Sequence, residues 1–410
     1  MEFQRTRQLL SQLAQAVKPH LIGELRWRFM SELLEDQPDE VKLQLKALFD
    51  SFLLRMKELE VSDIDLGGPG CDERIWFRVF GTKKPEDSLG RYALEETDLL
   101  ILNILTEFER KQLFQERSLD LSYRVFDQAE NHWTRYRAHV YFDLMHLAVN
   151  MRRVNDKIIP FPKLGFHEEV AKALSLKYQK SGLILVTGIT GSGKSTTLDS
   201  IIDANNRTME AHIVIIADPV EYVHKPIKSI VKHREVGRDV HSFKEGTVQA
   251  LRQDPDIIMI GEMRDADTIM TVLEVVDSGH KVFSTLHTSS AVESIDRILG
   301  EIPPNEQPRV RTRLADVLTC VISQKLIPSQ DGKRVLAKEV MLTNPSIKNA
   351  IRNNNTGEIY QIMHQSNEQG MNTMEQDLAR LYTNNQISYF EAYINANNKK
   401  RLEELTKYNY

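Results

Sequence analysis

Cysteine and long hydrophobic runs are both scarce in this chain. Its 410 residues include two cysteines, Cys71 and Cys320, which excludes a four-cysteine zinc site and a disulfide framework. No apolar stretch reaches the roughly 18 residues that a membrane-spanning helix needs. The N-terminal segment MEFQRTRQLL contains no apolar core followed by a small-residue cleavage site, so we expect no export signal and a cytoplasmic location.

An excess of positive charge is also absent. The formal net charge is -5 at pH 7, and nothing in this total favours nucleic acid or anionic lipid as a partner. The hydrophobic fraction of 41% and the charged fraction of 27% are ordinary for a globular protein. At this length we expect two or three domains, each able to bury its own core.

The hydrophobic pattern divides the chain into four parts. In residues 1–61, apolar side chains recur three and four apart, most clearly from Val41 to Met56, which predicts helices. This stripe either packs within its own domain or docks to a partner. Residues 62–158 combine aromatic and β-branched segments, 74–80 and 136–141, with a segment from Glu95 to Phe114 that is predicted to be helical, which indicates an α+β domain. Residues 343–410 are polar and predicted to be helical.

Residues 159–342 contain the strongest fold signal. Predicted helices alternate there with short and almost wholly apolar segments, at 183–187, 213–216, 257–260 and 282–285. Strands that are apolar on both faces are typical of a parallel sheet with helices on each side. The sequence therefore predicts an α/β fold.

A glycine-rich loop follows the first of these strands. Its sequence GITGSGKSTT stands between a predicted strand and a predicted helix, where backbone amides and the helix N-terminus favour phosphate. In such a loop Lys194 reaches the β- and γ-phosphates of ATP, and the Ser195 hydroxyl ligates Mg²⁺. We therefore predict an ATP site formed by Gly188, Ile189, Thr190, Gly191, Ser192, Gly193, Lys194, Ser195, Thr196 and Thr197.

Two acidic segments follow other predicted strands. Glu262 closes the strand 257–260, and we predict that it holds Mg²⁺ or a water bound to the metal at the carboxyl edge of the sheet. The loop after the strand 213–216 carries Asp218 and Glu221, and either carboxylate can orient or deprotonate the attacking water. The alternative is that the acids of this loop cap a helix or a turn.

Two histidines bracket the strand 282–285. His280 precedes it and His287 follows it. A single histidine in such a position is more often structural. Two histidines at the ends of one core strand in a phosphate-binding sheet favour a functional interpretation.

Together these segments resemble the secretion-type ATPases that power type II secretion and type IV pili, over residues 62–375. The resemblance rests on GITGSGKSTT, ADPVEYVH, QDPDIIMIGEMRDADT and GHKVFSTLHTSS, with SIDRIL, VISQKLIP and SIKNAIR in addition. It is greatest to the pilus-retraction, twitching-motility branch. Extension and secretion ATPases often contain a tetracysteine zinc element, which this chain cannot form.

The resemblance implies a ring of six two-domain subunits. Each subunit is expected to have an N-terminal PAS-like domain and a C-terminal RecA-like P-loop core, with ATP between them. The residues that match functional positions of the family are Glu221 as catalytic glutamate, Glu262 as Walker B glutamate, His280 and His287 as the His-box pair, and Arg135 and Arg152 as arginines that approach the nucleotide. Two positions depart from the family pattern, because Ala217 replaces a glutamate and His139 replaces an asparagine.

These observations lead to one functional hypothesis with three alternatives. We expect a homohexameric, Mg²⁺-dependent ATPase at the inner face of the cytoplasmic membrane, without a membrane span of its own, which acts on an inner-membrane pilus platform protein and drives pilus retraction. The nearest alternative is a pilus-extension or type II secretion ATPase. A RecA-like nucleic-acid translocase is disfavoured by the net charge. The last alternative is a regulatory nucleotide-binding module that does not hydrolyse ATP.

Overall fold

The computed structural model describes residues 3–59, 61–79, 82–128, 131–154 and 158–407. The chain forms two compact units, Met1–Asp156 and Lys157–Tyr410, and each unit has a sheet and a hydrophobic core of its own. Within the described residues, no helix is both long and apolar enough to cross a membrane.

The first unit is built on a six-stranded antiparallel sheet. Its described helices are α1 Gln4–Ala16, α2 Gly23–Glu35, α3 Asp39–Glu58, α4 Leu94–Ile104 and α5 Glu107–Glu116. Its strands are β1 Asp63–Gly67, β2 Trp76–Val79, β3 Thr82–Pro85, β4 Ser118–Asp127, β5 His132–Asp143 and β6 His146–Arg153, in the order β3-β2-β1-β6-β5-β4. Phe80, the last residue of the strand predicted at 74–80, lies outside the described residues.

The apolar stripe of α3 is buried inside this unit. Phe49 and Leu53 are fully buried and belong to the same core as Ile64 of β1. The hydroxyl of Tyr136 on β5 donates a hydrogen bond of 2.9 Å to the carbonyl of Leu53. Burying a side chain such as Leu or Phe contributes about 1.5–3 kcal/mol, so these contacts fix α3 on the sheet. Of the two interpretations of the stripe, packing within its own unit is confirmed.

The segment from Glu95 to Phe114 is helical, as predicted, but it is divided between two helices. α4 ends at Ile104, and α5 starts after Thr106. The Thr106 hydroxyl accepts a hydrogen bond from the Glu109 amide, and the Glu109 carboxylate accepts one from the Thr106 amide. This reciprocal pair satisfies two amides that a helix start leaves unpaired, and it therefore begins a new helix.

The second unit is built on a seven-stranded sheet. Its strands are β7 Gly182–Thr187, β8 His212–Ala217, β9 Ile230–Glu235, β10 Ile257–Ile260, β11 Lys281–Leu286, β12 Leu318–Pro328 and β13 Arg334–Leu342. The order is β13-β12-β7-β11-β10-β8-β9. The neighbours from β12 to β9 are parallel, and β13 is antiparallel to β12. β7 therefore lies between β11 and β12, two strands that come much later in the sequence.

Helices cover this sheet and extend to the end of the described chain. They are α6 Glu168–Leu174, α7 Lys194–Thr208, α8 Phe243–Ala250, α9 Ala266–Asp277, α10 Ala291–Gly300, α11 Gln307–Val317, α12 Pro345–Arg352, α13 Gly357–Gln365, α14 Met374–Thr383, α15 Tyr389–Asn395 and α16 Lys399–Lys407. Along β7, Leu183 and Leu185 belong to one core, whereas Ile184 and Val186 belong to another. A strand with a buried core on each face has to be apolar throughout, which is why its sequence does not alternate.

Helix α12, the segment PSIKNAIR, packs against α11 and α13. Ile347, Ala350 and Ile351 are at most 3% exposed. The Lys348 ammonium donates to the carbonyl of Asp316 on α11 at 3.3 Å, and the Arg352 guanidinium pairs with the Asp316 carboxylate. The apolar face of α12 is thus internal, and its two cations contact α11.

Candidate active site

The loop between β7 and α7 has a backbone that favours glycine. The angle φ is 148° at Gly188, 80° at Gly191 and 88° at Gly193, values that side chains with a Cβ rarely adopt. A Cβ at Gly188 would also lie 2.4 Å from the Ser192 hydroxyl and 2.5 Å from the carbonyl oxygen of Gln324. The loop is therefore packed closely against β12, and Gly188 is needed for that approach.

Lys194 begins α7 and reaches back across this loop. Its ammonium donates to the carbonyl oxygens of Gly188 at 2.8 Å and Ile189 at 3.1 Å. Partial burial lowers the pKa of Lys194, while the charges of Glu221 and Glu262 act in the opposite direction. Both carboxylates are therefore within electrostatic range of the ammonium group.

Four loops meet at the carboxyl edge of the parallel strands. The glycine-rich loop follows β7, the segment with Glu221 follows β8, Glu262 follows β10, and His287 follows β11. The strands β7, β11, β10 and β8 are consecutive neighbours, and ligands of parallel α/β sheets bind at this edge. Of the residues predicted from sequence, the structure therefore brings together Lys194, Glu221, Glu262 and His287.

Glu262 connects this group to a neighbouring arginine. Its carboxylate lies 2.7 Å from Nε of Arg264 and 3.9 Å from Nε2 of His287. Burial lowers the pKa of His287, the charges of Lys194 and Arg264 lower it further, and Glu262 opposes them. Since the unperturbed value is already below neutrality, His287 is mainly uncharged at pH 7. The imidazole can then serve as a hydrogen-bonding group rather than a cation.

A cavity opens beside these side chains. It has a volume of about 480 Å³, and its lining includes Glu262, Arg264, Thr285, His287 and Arg297. Two arginines and a histidine line it beside two carboxylates, Glu262 and Glu293. Cationic and hydrogen-bonding side chains of this kind suit a phosphorylated ligand.

The other predicted nucleotide residues lie in the loop and in the first turn of α7. Ile189 and Thr190 are exposed, whereas Thr197 is buried. Ser195 and Thr196 are half-buried at the start of the helix. In the described part of the chain, no group of three or more His, Cys, Asp or Glu side chains forms a ready-made metal site. Mg²⁺ commonly takes one or two protein oxygens with phosphates and water, and the Ser195 hydroxyl and Glu262 carboxylate are donors of that type.

The profile that describes a "Type II/IV secretion system protein" matches residues 144–407, which is more than half of the chain. The chain belongs to this family. The family match includes all four loops at the carboxyl edge of the sheet. The secretion family is thus assigned from the part of the chain that carries the candidate site.

Two curated relatives of this secretion-family chain are named for pilus movement. The "Twitching motility protein" of Neisseria gonorrhoeae is 36% identical over 332 residues, covering 80% of this chain and 85% of the relative. The "Type IV pilus retractation ATPase PilT" of Pseudomonas aeruginosa is 38% identical over 294 residues, covering 72% and 83%.

A solved structure extends the similarity to the fold. The crystal structure of the pilus retraction motor PilT with bound ADP has a TM-score of 0.78 and 38% sequence identity, covering 86% of this chain and 98% of that one. The α/β fold that the sequence predicts is confirmed by this match and by the sheets described above.

His280 lies apart from the other candidate residues of the secretion-family site. It precedes β11, at the amino edge of the sheet, where Nδ1 contacts the Ser278 hydroxyl at 2.9 Å and the Val275 carbonyl at 3.2 Å. At about 3.3 Å per residue along a strand, it is on the order of 20 Å from His287. A single strand thus holds His280 and His287 at opposite edges of the sheet, so the structure does not bring His280 to the group that contains His287, and a functional role for His280 stays a prediction. The observed contacts of His280 stabilise the turn from α9 to β11.

Arg135 and Arg152 belong to the first unit. The Arg135 guanidinium donates to the Ser122 hydroxyl at 2.9 Å, and Nε of Arg152 donates to Asp63 at 2.8 Å. The Arg152 side chain is 64% exposed. A role for either arginine toward the nucleotide stays a prediction.

Gln324 lies in the segment VISQKLIP, but no functional role was predicted for it from the sequence. Its side chain on β12 is 1% exposed, and Nε2 donates to the Ser192 carbonyl at 2.7 Å. The preceding Ser323 pairs its hydroxyl with Thr187 of β7 at 2.8 Å. The available signal was the run of three polar residues, Ser323, Gln324 and Lys325, inside the strand segment VISQKLI, because buried polar side chains need specific partners.

Proposed function

We propose that this protein is an ATP-hydrolysing motor that drives type IV pilus retraction. The observation that carries the proposal is the convergence of Lys194, Glu221, Glu262 and His287 beside a glycine-rich loop. The similarity in sequence and fold to a pilus retraction motor with bound ADP supports the same activity. The ATPase named among the relatives supports hydrolysis rather than nucleotide binding alone.

The chemistry is the attack of water on the γ-phosphate of ATP. The loop amides of residues 188–193 and the Lys194 ammonium hold the phosphates and offset their charge. Ser195 and Glu262 would hold Mg²⁺, which would neutralise further charge on the phosphate oxygens. Glu221 accepts the proton of the attacking water as the bond from the γ-phosphorus to the bridging oxygen breaks, giving ADP and phosphate. Neutral His287 provides a hydrogen bond to the phosphoryl group.

The larger assembly is part of the same proposal. In it, residues 1–61 form a helical extension, 62–158 a PAS-like domain, 159–342 a RecA-like core and 343–410 a helical C-terminal region. Six copies form a ring at the inner face of the cytoplasmic membrane and act on a pilus platform protein. Arg135 and Arg152 donate to the nucleotide phosphates, which suits the planar geometry and charge of guanidinium groups.

The first test is the substitution Lys194→Ala in the purified chain. We expect hydrolysis to be abolished, because a methyl group cannot offset charge on the β- and γ-phosphates. The control is Lys244→Ala, since that cation is exposed and pairs with Asp267 on the surface. Retention of more than about a tenth of the turnover, a change of under about 1.4 kcal/mol in the barrier, would contradict the site.

The second test distinguishes pilus retraction from pilus extension. Deletion of the gene should leave cells with excess surface pili and no surface motility, and the wild-type gene should restore both. Cells without pili would support the extension alternative. Strong stimulation of hydrolysis by DNA, with salt-dependent binding, would support a nucleic-acid translocase instead.

A further inference from the structure

The segment that carries Glu221 is a long loop without regular structure. It runs from residue 218 to residue 229, between β8 and β9. Glu221 itself is exposed, so its side chain gains little fixation from packing. A general base has to be held close to the proton that it removes, and a misplacement of about 1 Å can cost on the order of 100-fold in rate. The position of Glu221 therefore depends on what fixes the loop on either side of it.

The loop is fixed just before and just after Glu221. The Val220 amide donates to the buried carboxylate of Glu235 at 3.1 Å. Three residues after Glu221, the side chain of His224 is completely buried. The His224 amide donates to Nε2 of His233 at 3.0 Å, and the His224 ring packs edge-on against Tyr222 at 4.8 Å.

The buried His224 ring reaches helix α7. Its Nε2 lies 3.1 Å from Oδ1 of Asp199, whose side chain is 15% exposed. A carboxylate only accepts hydrogen bonds, so Nε2 carries the proton that is donated. Nδ1 is buried and has no hydrogen-bond partner among the described residues, which favours the tautomer protonated at Nε2. The ring therefore makes one directed, partly buried contact with an acidic group.

Helix α7 is also the helix that begins with Lys194 and Ser195. A second residue of this helix, Asn206, holds the far end of the same loop by accepting from the Ile227 amide at 3.1 Å and donating to the Lys225 carbonyl at 2.8 Å. Asp199 and Asn206 are seven positions apart, close to two helical turns, and so share one face of α7. The loop with the candidate base is thus attached to the element that holds the phosphate-binding residues.

We infer that Asp199 and His224 are positioning residues that hold Glu221 in register with the phosphate loop. The pair fixes the distance between the proton acceptor and the γ-phosphate by joining both to α7. This inference rests on the proposed function, in which Glu221 accepts the proton of water. It adds two residues that do not touch the nucleotide and to which the sequence motifs assigned no role, although His224 ends the segment ADPVEYVH.

The test is a set of matched substitutions on α7. Asp199→Ala should lower kcat about tenfold and change KM by less than about twofold, since the phosphates remain bound while the base is misplaced. Asp199→Asn keeps an acceptor oxygen and should recover most of the loss. Asp203→Ala is the control, because its carboxylate lies one turn further along α7 and pairs with Arg207 at 2.7 Å. Equal effects of Asp199→Ala and Asp203→Ala on kcat would overturn the inference.

A test in a Glu221→Gln chain distinguishes a positioning role of Asp199 from an effect on general stability. If Asp199 acts through Glu221, then Asp199→Ala should cause no further loss of single-turnover rate in a Glu221→Gln chain. A further tenfold loss there would overturn the inference. Hydrogen exchange should also accelerate in the peptide 218–225 of Asp199→Ala, and unchanged exchange would contradict the attachment. If Asp199→Ala does not fold, His224→Gln and His224→Leu provide the comparison, with activity expected in the first, which keeps a donor, and lost in the second.

These outcomes are distinguishable from a failure of the proposed function. If the wild-type chain binds ATP but does not hydrolyse it, the proposed function is wrong and the inference falls with it. If the wild-type chain hydrolyses ATP and Asp199→Ala matches it in kcat, the proposed function stands and the positioning role alone is wrong.

Discussion

Gln324 shows how a single buried side chain can support a catalytic loop from outside its motif. Nε2 donates to the Ser192 carbonyl, and both side chains are at most 2% exposed. The Ser192 hydroxyl and Oε1 of Gln324 are buried without a hydrogen-bond partner among the described residues. These two buried atoms can gain hydrogen-bond partners if the loop rearranges slightly when it binds phosphate.

Gln324→Met should therefore weaken nucleotide binding. Methionine keeps the unbranched shape but removes the donor, and a buried carbonyl left unpaired costs about 1–3 kcal/mol. If this cost falls on the bound state, the dissociation constant for ADP should rise about tenfold, as 1.4 kcal/mol corresponds to a factor of ten. Fluorescent-ADP titration measures this, with Gln386→Met on an exposed turn as control. An unchanged dissociation constant would mean that the loop does not depend on the Gln324 amide.

The two glutamates of the site should respond differently to the same substitution. Glu221→Gln is expected to keep ATP binding and lose turnover, because an amide cannot accept the proton from water. Glu262→Gln should act partly through the metal, so its defect should shrink as the Mg²⁺ concentration is raised. Steady-state kinetics over a Mg²⁺ series distinguishes them. Rescue of Glu221→Gln by Mg²⁺ would reverse the two roles.

At the scale of elements, strand β11 begins with a completely buried lysine. The Lys281 ammonium donates to the carbonyls of Ala173 at 2.7 Å and Gln179 at 3.1 Å. Burial lowers the pKa of Lys281 to about 7, with a small opposing effect of Cys320. Burial also raises the pKa of the Cys320 thiol to about 12, so this thiol stays neutral over the range in which Lys281 titrates.

This lysine predicts a pH dependence of stability. Its folded pKa of about 7 lies below the ordinary 10.5, so between these values the unfolded chain binds a proton that the folded chain lacks. The free energy of unfolding contributed by Lys281 should therefore rise from pH 7 to pH 10. Denaturant unfolding at pH 7, 8 and 9 should show this rise in wild type and in Lys232→Met, an exposed control on β9. The same slope in Lys281→Met would contradict the assignment.

Helix α12 offers a test of coupling between hydrolysis and movement. The Lys348 ammonium donates to the Asp316 carbonyl and Arg352 pairs with the Asp316 carboxylate. A partly exposed ion pair of this kind contributes about 0–1 kcal/mol. We expect Lys348→Ala with Arg352→Ala to retain the ring and ATP hydrolysis, and to stop pilus retraction in cells. Asp316→Ala removes the ion pair with Arg352 from the opposite side and should leave motility intact. Normal motility of the double variant would show that the two cations of α12 have no role in coupling hydrolysis to movement.

At the scale of the whole molecule, the sequence predicted the features that depend on local residue pattern, such as the core strands. The segments 183–187, 213–216, 257–260 and 282–285 are strands because a sheet covered on both faces requires continuous apolar residues. The break at Thr106 was missed although its capping pattern is visible, since the apolar period continues across it. The contacts of Gln324 and His224 depend on strand order and loop path, which no local pattern specifies. The positions of His280 and His287 at opposite edges of the sheet follow from the length of the strand between them, which could be read from the sequence.

The position of β7 between β11 and β12 has a consequence for biosynthesis. The glycine-rich loop leaves the ribosome early, but its neighbours at Leu286 and Gln324 are translated much later. At about 5–20 residues per second, the nascent loop waits on the order of 10 s before β12 can close against it. A chain that stalls before residue 324 would hold a complete phosphate-loop sequence without the strand that supports it. We therefore expect the chain to bind nucleotide only after β12 has paired with β7, well after the glycine-rich loop has been translated.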